Sequence, residues 1–133
     1  MFGFKSRTSK QIGDEAEKLA CDYLTRQGLT LVERNYQIKG GEIDLVMRDD
    51  QHLVFIEVRC RNNRRFGSGA ESVDARKQAR LIKAATTYLQ QHSAQTLQPA
   101  RFDVMSISTA QPQTESSSEP QPEIEWIKDA FQA

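Results

Sequence analysis

The stretch GGEIDLVMRDDQHLVFIEVRCR, residues 40–61, determines the fold that we predict for this chain. Its runs of Val, Ile, Leu and Phe, separated by a polar segment, predict two strands joined as a hairpin. Three acids interrupt the apolar runs, namely Glu42, Asp44 and Glu57. Because an unpaired carboxylate is costly to bury, a strand that enters a protein core carries such an acid only where another group compensates for it.

The register of this hairpin decides how close the acids lie to one another. Side chains alternate across a strand, which puts Glu42 and Asp44 on one face together with Val46. A two- or four-residue turn centred on Asp50–Gln51 places Asp44 directly opposite Glu57, with Cβ atoms roughly 4.5–5.5 Å apart. A shift by two residues keeps both acids on the same face as diagonal neighbours, whereas a shift by one separates them and also scrambles the apolar pattern.

Facing carboxylates on a buried sheet repel each other, and burial raises the pKa of each. Two kinds of compensation fit the sequence. A divalent cation such as Mg²⁺ takes carboxylate oxygens as ligands. Alternatively Arg59, two residues after Glu57, forms a buried salt bridge, or the acids lie on a solvated face of the sheet. The residues alone leave these interpretations open.

Helical and extended patterns surround the hairpin. Apolar residues at helical spacing predict helices over 10–27 and 72–91, the second with Ser72 as its N-cap. Apolar and alternating runs predict strands over 29–38, 42–48, 52–61, 101–108 and 123–131, the last at an edge of the sheet. A segment rich in Gln, Ser, Pro and Glu over 109–122 predicts a mobile loop. This order predicts an α/β fold with a central mixed β-sheet flanked by helices.

Length and composition suit one globular domain over residues 1–133. The chain is 38% hydrophobic and 27% charged, as expected of a soluble protein. It contains no apolar run of the length needed for a signal peptide or a membrane span. Its two cysteines, Cys21 and Cys60, lack the spacing of a metal site. We therefore expect a cytoplasmic protein with reduced thiols and no membrane partner.

The net charge of zero conceals an uneven distribution along the chain. The segment 59–83 contains eight basic and two acidic residues, whereas 114–133 contains five acidic residues and one basic residue. Charge runs are most often solvated faces. A local basic surface is also what a protein needs to meet nucleic-acid phosphates. Composition does not choose between these two interpretations.

Further chemically capable residues fit structural roles. Asp103, within RFDV, is expected to pair locally with Arg101. His52 has no partner at metal-ligand spacing and is expected at the surface. Cys60 is expected to pack as a small hydrophobic residue, and Trp126 to pack within an amphipathic strand.

Taken in order, these motifs resemble a known family. The segments GEIDL and FIEVRCR are similar to the core of the restriction-endonuclease-like superfamily, whose signature is an Asp on one strand and Glu/Asp-x-Lys on the next. More narrowly, the chain resembles the YraN family of small bacterial proteins, commonly predicted to be nucleases similar to archaeal Holliday-junction resolvases. Further matches are Glu17-x-x-Ala20-x-x-Tyr23-Leu24, Arg34-Asn35, Phe66-Gly67, Val73 with Lys77, Ala85 with Tyr88-Leu89, Arg101-Phe102-Asp103-Val104 and Ile127-Lys128-Asp129-Ala130-Phe131.

The resemblance implies a restriction-endonuclease-like fold and a metal-dependent endonuclease that hydrolyses phosphodiester bonds. Asp44 and Glu57 would bind Mg²⁺ or Mn²⁺ together with the backbone carbonyl of Val58. Glu17, on the first helix, would approach the same site. The metal would polarise the scissile phosphate and lower the pKa of an attacking water. DNA is the expected nucleic acid, and action on a symmetric junction would suit a homodimer.

One position departs from the superfamily pattern, because Arg59 stands where the lysine is usual. Arginine stays protonated and cannot act as a base, although it can clamp a phosphate with two hydrogen bonds. Lys77, on the second helix, would supply the missing ammonium or is an ordinary exposed helix lysine. A third interpretation is a catalytically inactive protein that keeps the fold and serves in nucleic-acid binding or as a scaffold.

Three arginines follow the predicted site directly. Arg61, Arg64 and Arg65 belong to RNNRRFGSG, whose Asn, Gly and Ser content predicts a loop. We expect these arginines to contact the phosphate backbone beside the metal. The loop contains nothing that suggests base-specific contacts.

Overall fold

The structure, a computed structural model, describes residues 8–61, 73–92, 98–109 and 122–133, without the side chains of Arg61, Thr109 and Pro122. Every predicted helix and strand is present, with ends shifted by no more than three residues. In chain order the elements are α1 (Ser9–Arg26), β1 (Thr30–Ile38), β2 (Gly41–Arg48), β3 (Leu53–Arg61), α2 (Ala75–Gln91), β4 (Ala100–Thr109) and β5 (Pro122–Phe131). The interior of the predicted loop 109–122 lies outside the described residues.

The strands form one five-stranded sheet in the order β1-β2-β3-β4-β5. Neighbouring strands are antiparallel except β3 and β4, which run parallel. Parallel neighbours need a crossover connection, and α2 lies within it. The predicted mixed sheet flanked by helices is therefore confirmed, in the arrangement expected of a restriction-endonuclease-like α/β fold. No helix of the described segments is long and apolar enough to cross a membrane.

Each face of the sheet buries its own apolar cluster. The α2-side core, which packs between the sheet and α2, includes Tyr36, Ile43, Val46, Phe55, Leu81 and Tyr88. The α1-side core, on the opposite face, includes Ala16, Ala20, Leu24, Leu45, Met47 and Ile56. The small residues Ala16 and Ala20 let α1 approach the sheet closely, which fixes the position of the intervening residue Glu17.

The start of α2 is fixed by Asp74 rather than by the predicted cap Ser72, so that prediction was wrong. The Lys77 N–H donates to Oδ1 of Asp74 over 2.9 Å, and Gln78 Nε2 donates to the Val73 carbonyl, also over 2.9 Å. Serine and aspartate are comparable N-caps, so the sequence Ser-Val-Asp offered two starts. The observed start determines where Lys77 projects.

The β1–β2 turn packs directly against α2. A Cβ added at Gly41 would lie 2.5 Å from the Arg80 carbonyl oxygen, a contact that no side chain tolerates. Gly40 has φ +89°, in the region that favours glycine. The Gly-Gly pair is therefore a packing feature of the turn, which brings it against the exposed basic side of α2.

Asp103 has the structural role predicted for it. Its side chain is fully buried and accepts hydrogen bonds from Arg101 Nε (3.0 Å), Trp126 Nε1 (2.9 Å) and the Asp129 N–H (2.9 Å). A buried carboxylate satisfied in this way links β4 to β5. By contrast Cys60 is exposed, so the expectation that it packs as a hydrophobic residue was wrong. It lies near the end of β3, beyond the α1-side core.

Candidate metal-binding active site

The predicted hairpin register is confirmed. Backbone pairing of β2 with β3 runs from Arg48–Leu53 to Leu45–Ile56, so Asp44 and Glu57 are the next residues along the two strands. The pairing ends immediately before them. The two acids therefore lie where the strands stop sharing hydrogen bonds, with space between the backbones for side chains.

Asp44 fills part of this space with its carboxylate. The Val58 N–H donates to Oδ2 of Asp44 over 2.8 Å, so the carboxylate accepts the bond that a β2 carbonyl would otherwise accept. Val58 thus contributes its amide to Asp44. The predicted role of the Val58 carbonyl as a metal ligand stays a prediction.

One part of the predicted strand pattern was wrong. Alternation was expected to place Asp44 on one face with Val46, and Ile43 with Leu45 on the other. Instead Ile43 and Val46 both belong to the α2-side core, and Leu45 belongs to the α1-side core. The alternation of β2 therefore reverses at Asp44, which turns this side chain toward β3 rather than onto a face of the sheet.

Glu57 lies on the α2 side of the sheet and is only 5% exposed. Its Oε2 atom is 3.2 Å from Lys77 Nζ and 3.8 Å from an Arg59 guanidinium nitrogen. Both cations that the sequence offered are therefore at the site, and the lysine is the nearer. Lys77 reaches Glu57 from α2, whereas Arg59 reaches it from the same strand.

The environment of Asp44 favours its protonated form. Burial is the largest cause and the charge of Glu57 the second, and together they raise the pKa of Asp44 to about 8 against the opposing effect of the Val58 N–H. Without a cation, Asp44 therefore keeps a proton at neutral pH. A divalent ion would take the place of that proton, since metal ligands bind in their deprotonated form.

Glu17 is half-buried on α1, and its charge also raises the pKa of Asp44. Burial and the nearby Asp14 raise the pKa of Glu17 itself, while the polar side chain of Asn35 opposes them. Glu42 is exposed and acts on Glu17 through its charge. The predicted approach of Glu17 to the acid pair stays a prediction.

The acid pair suits a cation that keeps most of its water. Among the described residues, no three His, Cys, Asp or Glu side chains converge closely enough to enclose a metal ion. Mg²⁺ is commonly held by one or two carboxylates, with waters and substrate phosphates completing its shell. Asp44 and Glu57 fit that mode of binding, and they do not fit a closed structural metal site.

Comparison with known proteins places the chain in a family. Residues 16–107 match the model of the uncharacterised protein family UPF0102. The chain belongs to UPF0102. It is 43% identical over 126 residues to a UPF0102 protein of Pseudomonas aeruginosa, covering 95% of this chain and 96% of the relative. It is also 46% identical over 127 residues to one from Nitrosococcus oceani, covering 96% of each. The resemblance to the YraN family is thereby confirmed.

The UPF0102 match includes all the residues that form the candidate site, from Glu17 to Lys77. The three predicted phosphate contacts lie outside what the structure describes, namely Arg64, Arg65 and the side chain of Arg61. Their contact with a phosphate backbone stays a prediction.

A row of basic side chains on α2 was not named among the predicted contact residues. Arg76, Arg80 and Lys83 are exposed and follow the helix at intervals of four and three residues, so they form one stripe about 10 Å long. Within the described segments no acid forms an ion pair with any of the three. The helix contains no acidic residue at all. The recurrence of basic residues at intervals of four and three was the signal in the sequence from which this stripe could have been predicted.

Proposed function

We propose that this UPF0102 protein is a nucleic-acid-binding, metal-dependent endonuclease that hydrolyses phosphodiester bonds, with DNA junctions of the Holliday type as the favoured substrate. The observation that carries the proposal is the acid pair Asp44–Glu57 with Lys77 beside it. A buried carboxylate pair costs stability unless a cation or proton compensates for it. Such a cost is typical of a functional site.

Asp44 and Glu57 would hold Mg²⁺ or Mn²⁺, with the Val58 carbonyl as a further donor. Bound there, the cation would polarise the scissile phosphate and lower the pKa of a water molecule. The Val58 N–H keeps one oxygen of Asp44 fixed. The second oxygen stays available to the ion.

The cationic side chains would act on the phosphate. Lys77 contacts Glu57 through a single ammonium, which can move by rotation of its flexible stem to meet a phosphate oxygen. Arg59 stays charged and offers two parallel donors, which suits a clamp on the phosphate. Glu17 would approach the same site and orient water through its carboxylate. These roles agree with an in-line displacement of the leaving oxygen.

The α2 stripe, Arg76, Arg80 and Lys83, supports a polyanionic substrate. It begins beside Lys77 and leads away from the acid pair toward the β1–β2 turn, where the Lys83 side chain lies against Gly40. Lysine and arginine contacts of this kind position a nucleic-acid backbone without reading its sequence. A substrate chosen by shape, such as a branched DNA, fits that mode of contact.

Cleavage of branched and linear DNA in the presence of Mn²⁺ tests the proposal. We expect wild type to cut and Glu57→Ala to lose at least about a hundredfold in rate, as expected when a metal ligand is removed. Lys77→Ala should also lose rate, and Lys18→Ala, which changes an exposed lysine of α1, should cut like wild type. Cleavage that persists in Glu57→Ala would contradict the assignment and indicate a contaminating nuclease.

Arg59 favours a second candidate function, a nucleic-acid-binding or scaffolding protein without hydrolysis, since the usual lysine is absent from β3. In that case DNA binding survives Glu57→Ala unchanged, and no preparation cuts DNA. Sedimentation of the protein with and without a four-way junction tests the proposed homodimer. A cytoplasmic location fits a DNA substrate and the two unpaired cysteines, Cys21 and Cys60.

A further inference from the structure

Asn35 has an unusual backbone conformation for its place in the fold. It lies inside β1 and has φ 52°, in the left-handed region. Most residues avoid this region because Cβ crowds the following carbonyl, and asparagine is among the few that enter it. Asparagine is also a poor strand former. Two unfavourable features at one position indicate that the conformation itself serves a purpose.

The position opposite Asn35 is Asp44. The pairs Arg34–Leu45 and Tyr36–Ile43 flank these two residues in the β1–β2 register. Tyr36 and Ile43 both pack in the α2-side core, as expected of cross-strand partners.

The preceding pair packs on the other face. Leu45 belongs to the α1-side core, and an Arg34 guanidinium nitrogen lies 3.6 Å from Cys21 Sγ on α1. Residues two apart normally share a face, yet in both strands they lie on opposite faces across this point. The reversal therefore occurs at Asn35 and Asp44 together.

The reversal accounts for the direction of Asp44. A residue in regular alternation would project into one of the two cores. At the reversal, the Asp44 carboxylate instead reaches across to β3 and accepts the Val58 N–H. Asn35 is thus the residue that faces Asp44 at the point where the alternation reverses.

We propose that Asn35 is a positioning residue of the acid site: its left-handed backbone directs Asp44 toward β3. The significance for metal binding rests on the proposed function. The effect on the direction of Asp44 does not, because it concerns the metal-free protein alone.

The competing explanation is protection of a sheet edge. β1 is an edge strand, and irregular or polar positions discourage edges from pairing with other chains. In that role, replacing Asn35 would change the self-association of the protein and leave the hydrogen bond from the Val58 N–H to Asp44 unchanged. Valine separates the two explanations, since it favours ordinary strands and strongly disfavours the left-handed region.

The experiment compares Asn35→Gly, Asn35→Val and the matched control Gln37→Val, an exposed position two residues along β1. The first readout is hydrogen exchange of the Val58 amide by NMR in EDTA. Glycine adopts the left-handed region freely, so Asn35→Gly should keep the protection of wild type. Asn35→Val should lose about tenfold or more in protection, and Gln37→Val should lose none.

The second readout is Mn²⁺ affinity by calorimetry. Asn35→Val should weaken binding about tenfold or more, because Asp44 is no longer directed at the ion. Asn35→Gly keeps access to the left-handed region and should bind Mn²⁺ like wild type. A loss of affinity in Asn35→Gly equal to that in Asn35→Val would refute the role of the backbone conformation.

The positioning role would be overturned if the Val58 amide were as well protected in Asn35→Val as in wild type. It would also be overturned if Asn35→Val and Gln37→Val lost the same amount of Val58 protection. Circular dichroism and the exchange of Leu45, which is paired in the same hairpin, show whether each variant is folded. If Asn35→Val is unfolded, Asn35→Ala replaces it, because alanine disfavours the left-handed region less strongly. The Val58 amide should then be less protected in Asn35→Ala than in Asn35→Gly or Gln37→Val. Absence of Mn²⁺ binding by wild type would reject the proposed function, and the Val58 readout would still decide the positioning role.

Discussion

Replacing Asp44 by Asn should change how stability depends on pH. The pKa of Asp44 is raised from 3.8 to about 8, first by burial and then by the charge of Glu57. Between these two values the folded protein holds a proton that the unfolded chain releases. The free energy of unfolding therefore falls as the pH rises from about 4, and it levels off above about 8. Asparagine does not titrate, so the variant lacks this contribution.

The expected size follows from the shift. One pKa unit corresponds to about 1.4 kcal/mol. The free energy of unfolding can therefore change by at most about 1.4 kcal/mol per pH unit through this one group. Between pH 5 and pH 7.5 the full shift would lower the free energy of unfolding of wild type by about 3 kcal/mol. Partial access of water to the half-buried side chain reduces this decrease to about 2 kcal/mol. That corresponds to a change in melting temperature of roughly 7 °C. Asparagine can still accept the Val58 N–H, so the variant should be more stable than wild type at pH 7.5.

Urea denaturation in EDTA at pH 5 and pH 7.5 measures this difference. We expect the gap between Asp44→Asn and wild type to widen in favour of the variant as the pH rises. Asp22→Asn, a change at an exposed aspartate of α1, should follow wild type at both pH values. Curves for Asp44→Asn and wild type that run parallel, or a gap that narrows, would show that the fold does not keep a proton on Asp44.

Four further variants test other parts of the molecule. Reversing the charges of Arg80 and Lys83 should flatten the salt dependence of DNA binding by a slope of about one for each phosphate that the protein no longer neutralises; an unchanged slope in filter binding would exclude the α2 stripe. Lys77→Met should lower the free energy of unfolding by less than about 1 kcal/mol in urea denaturation, since the lysine is 42% exposed. The cleavage rate should fall by much more than this loss of stability explains. A loss of cleavage no larger than the loss of stability would show that Lys77 has only a structural role. Asp103→Ala should cost about 3–5 kcal/mol in the same denaturation assay, because it leaves buried donors unpaired. Gly41→Ala should lower the melting temperature by several degrees, and a neutral result would contradict the tight contact with α2.

The hairpin register was predictable because the apolar pattern leaves little choice. A slip of one residue would have turned Val54 and Ile56 out of the α1-side core. That constraint, together with a turn centred on Asp50–Gln51, places Asp44 opposite Glu57 along the splayed ends of β2 and β3. The sequence thus contained the central feature of the candidate site.

The reversal of alternation at Asp44 was not predictable from the pattern. Regular alternation is the default for any strand, and the signal against it was a single asparagine, Asn35, on the neighbouring strand. Its left-handed backbone lies at the position opposite Asp44 of β2. Strand periodicity contains no information on such a local departure.

The cation beside Glu57 was likewise undecided by sequence. Arg59 is two residues away from Glu57 along β3, whereas Lys77 comes from α2. The position of a crossover helix on a sheet depends on how the side chains of the helix pack against those of the sheet, which the sequence does not show directly. The start of α2 at Asp74 and the close approach of the β1–β2 turn at Gly41 fix that docking. Together they bring Lys77 nearer to Glu57 than Arg59 is.

Anomalous diffraction from crystals grown with Mn²⁺ tests the central claim most directly. The acid pair is expected to bind one ion, seen as an anomalous peak in contact with carboxylate oxygens of both Asp44 and Glu57. The same peak should be absent from crystals of Asp44→Asn. A map of wild type with no peak at this position, and with the Lys77 ammonium still against Glu57, would contradict the claim that these acids form a metal site.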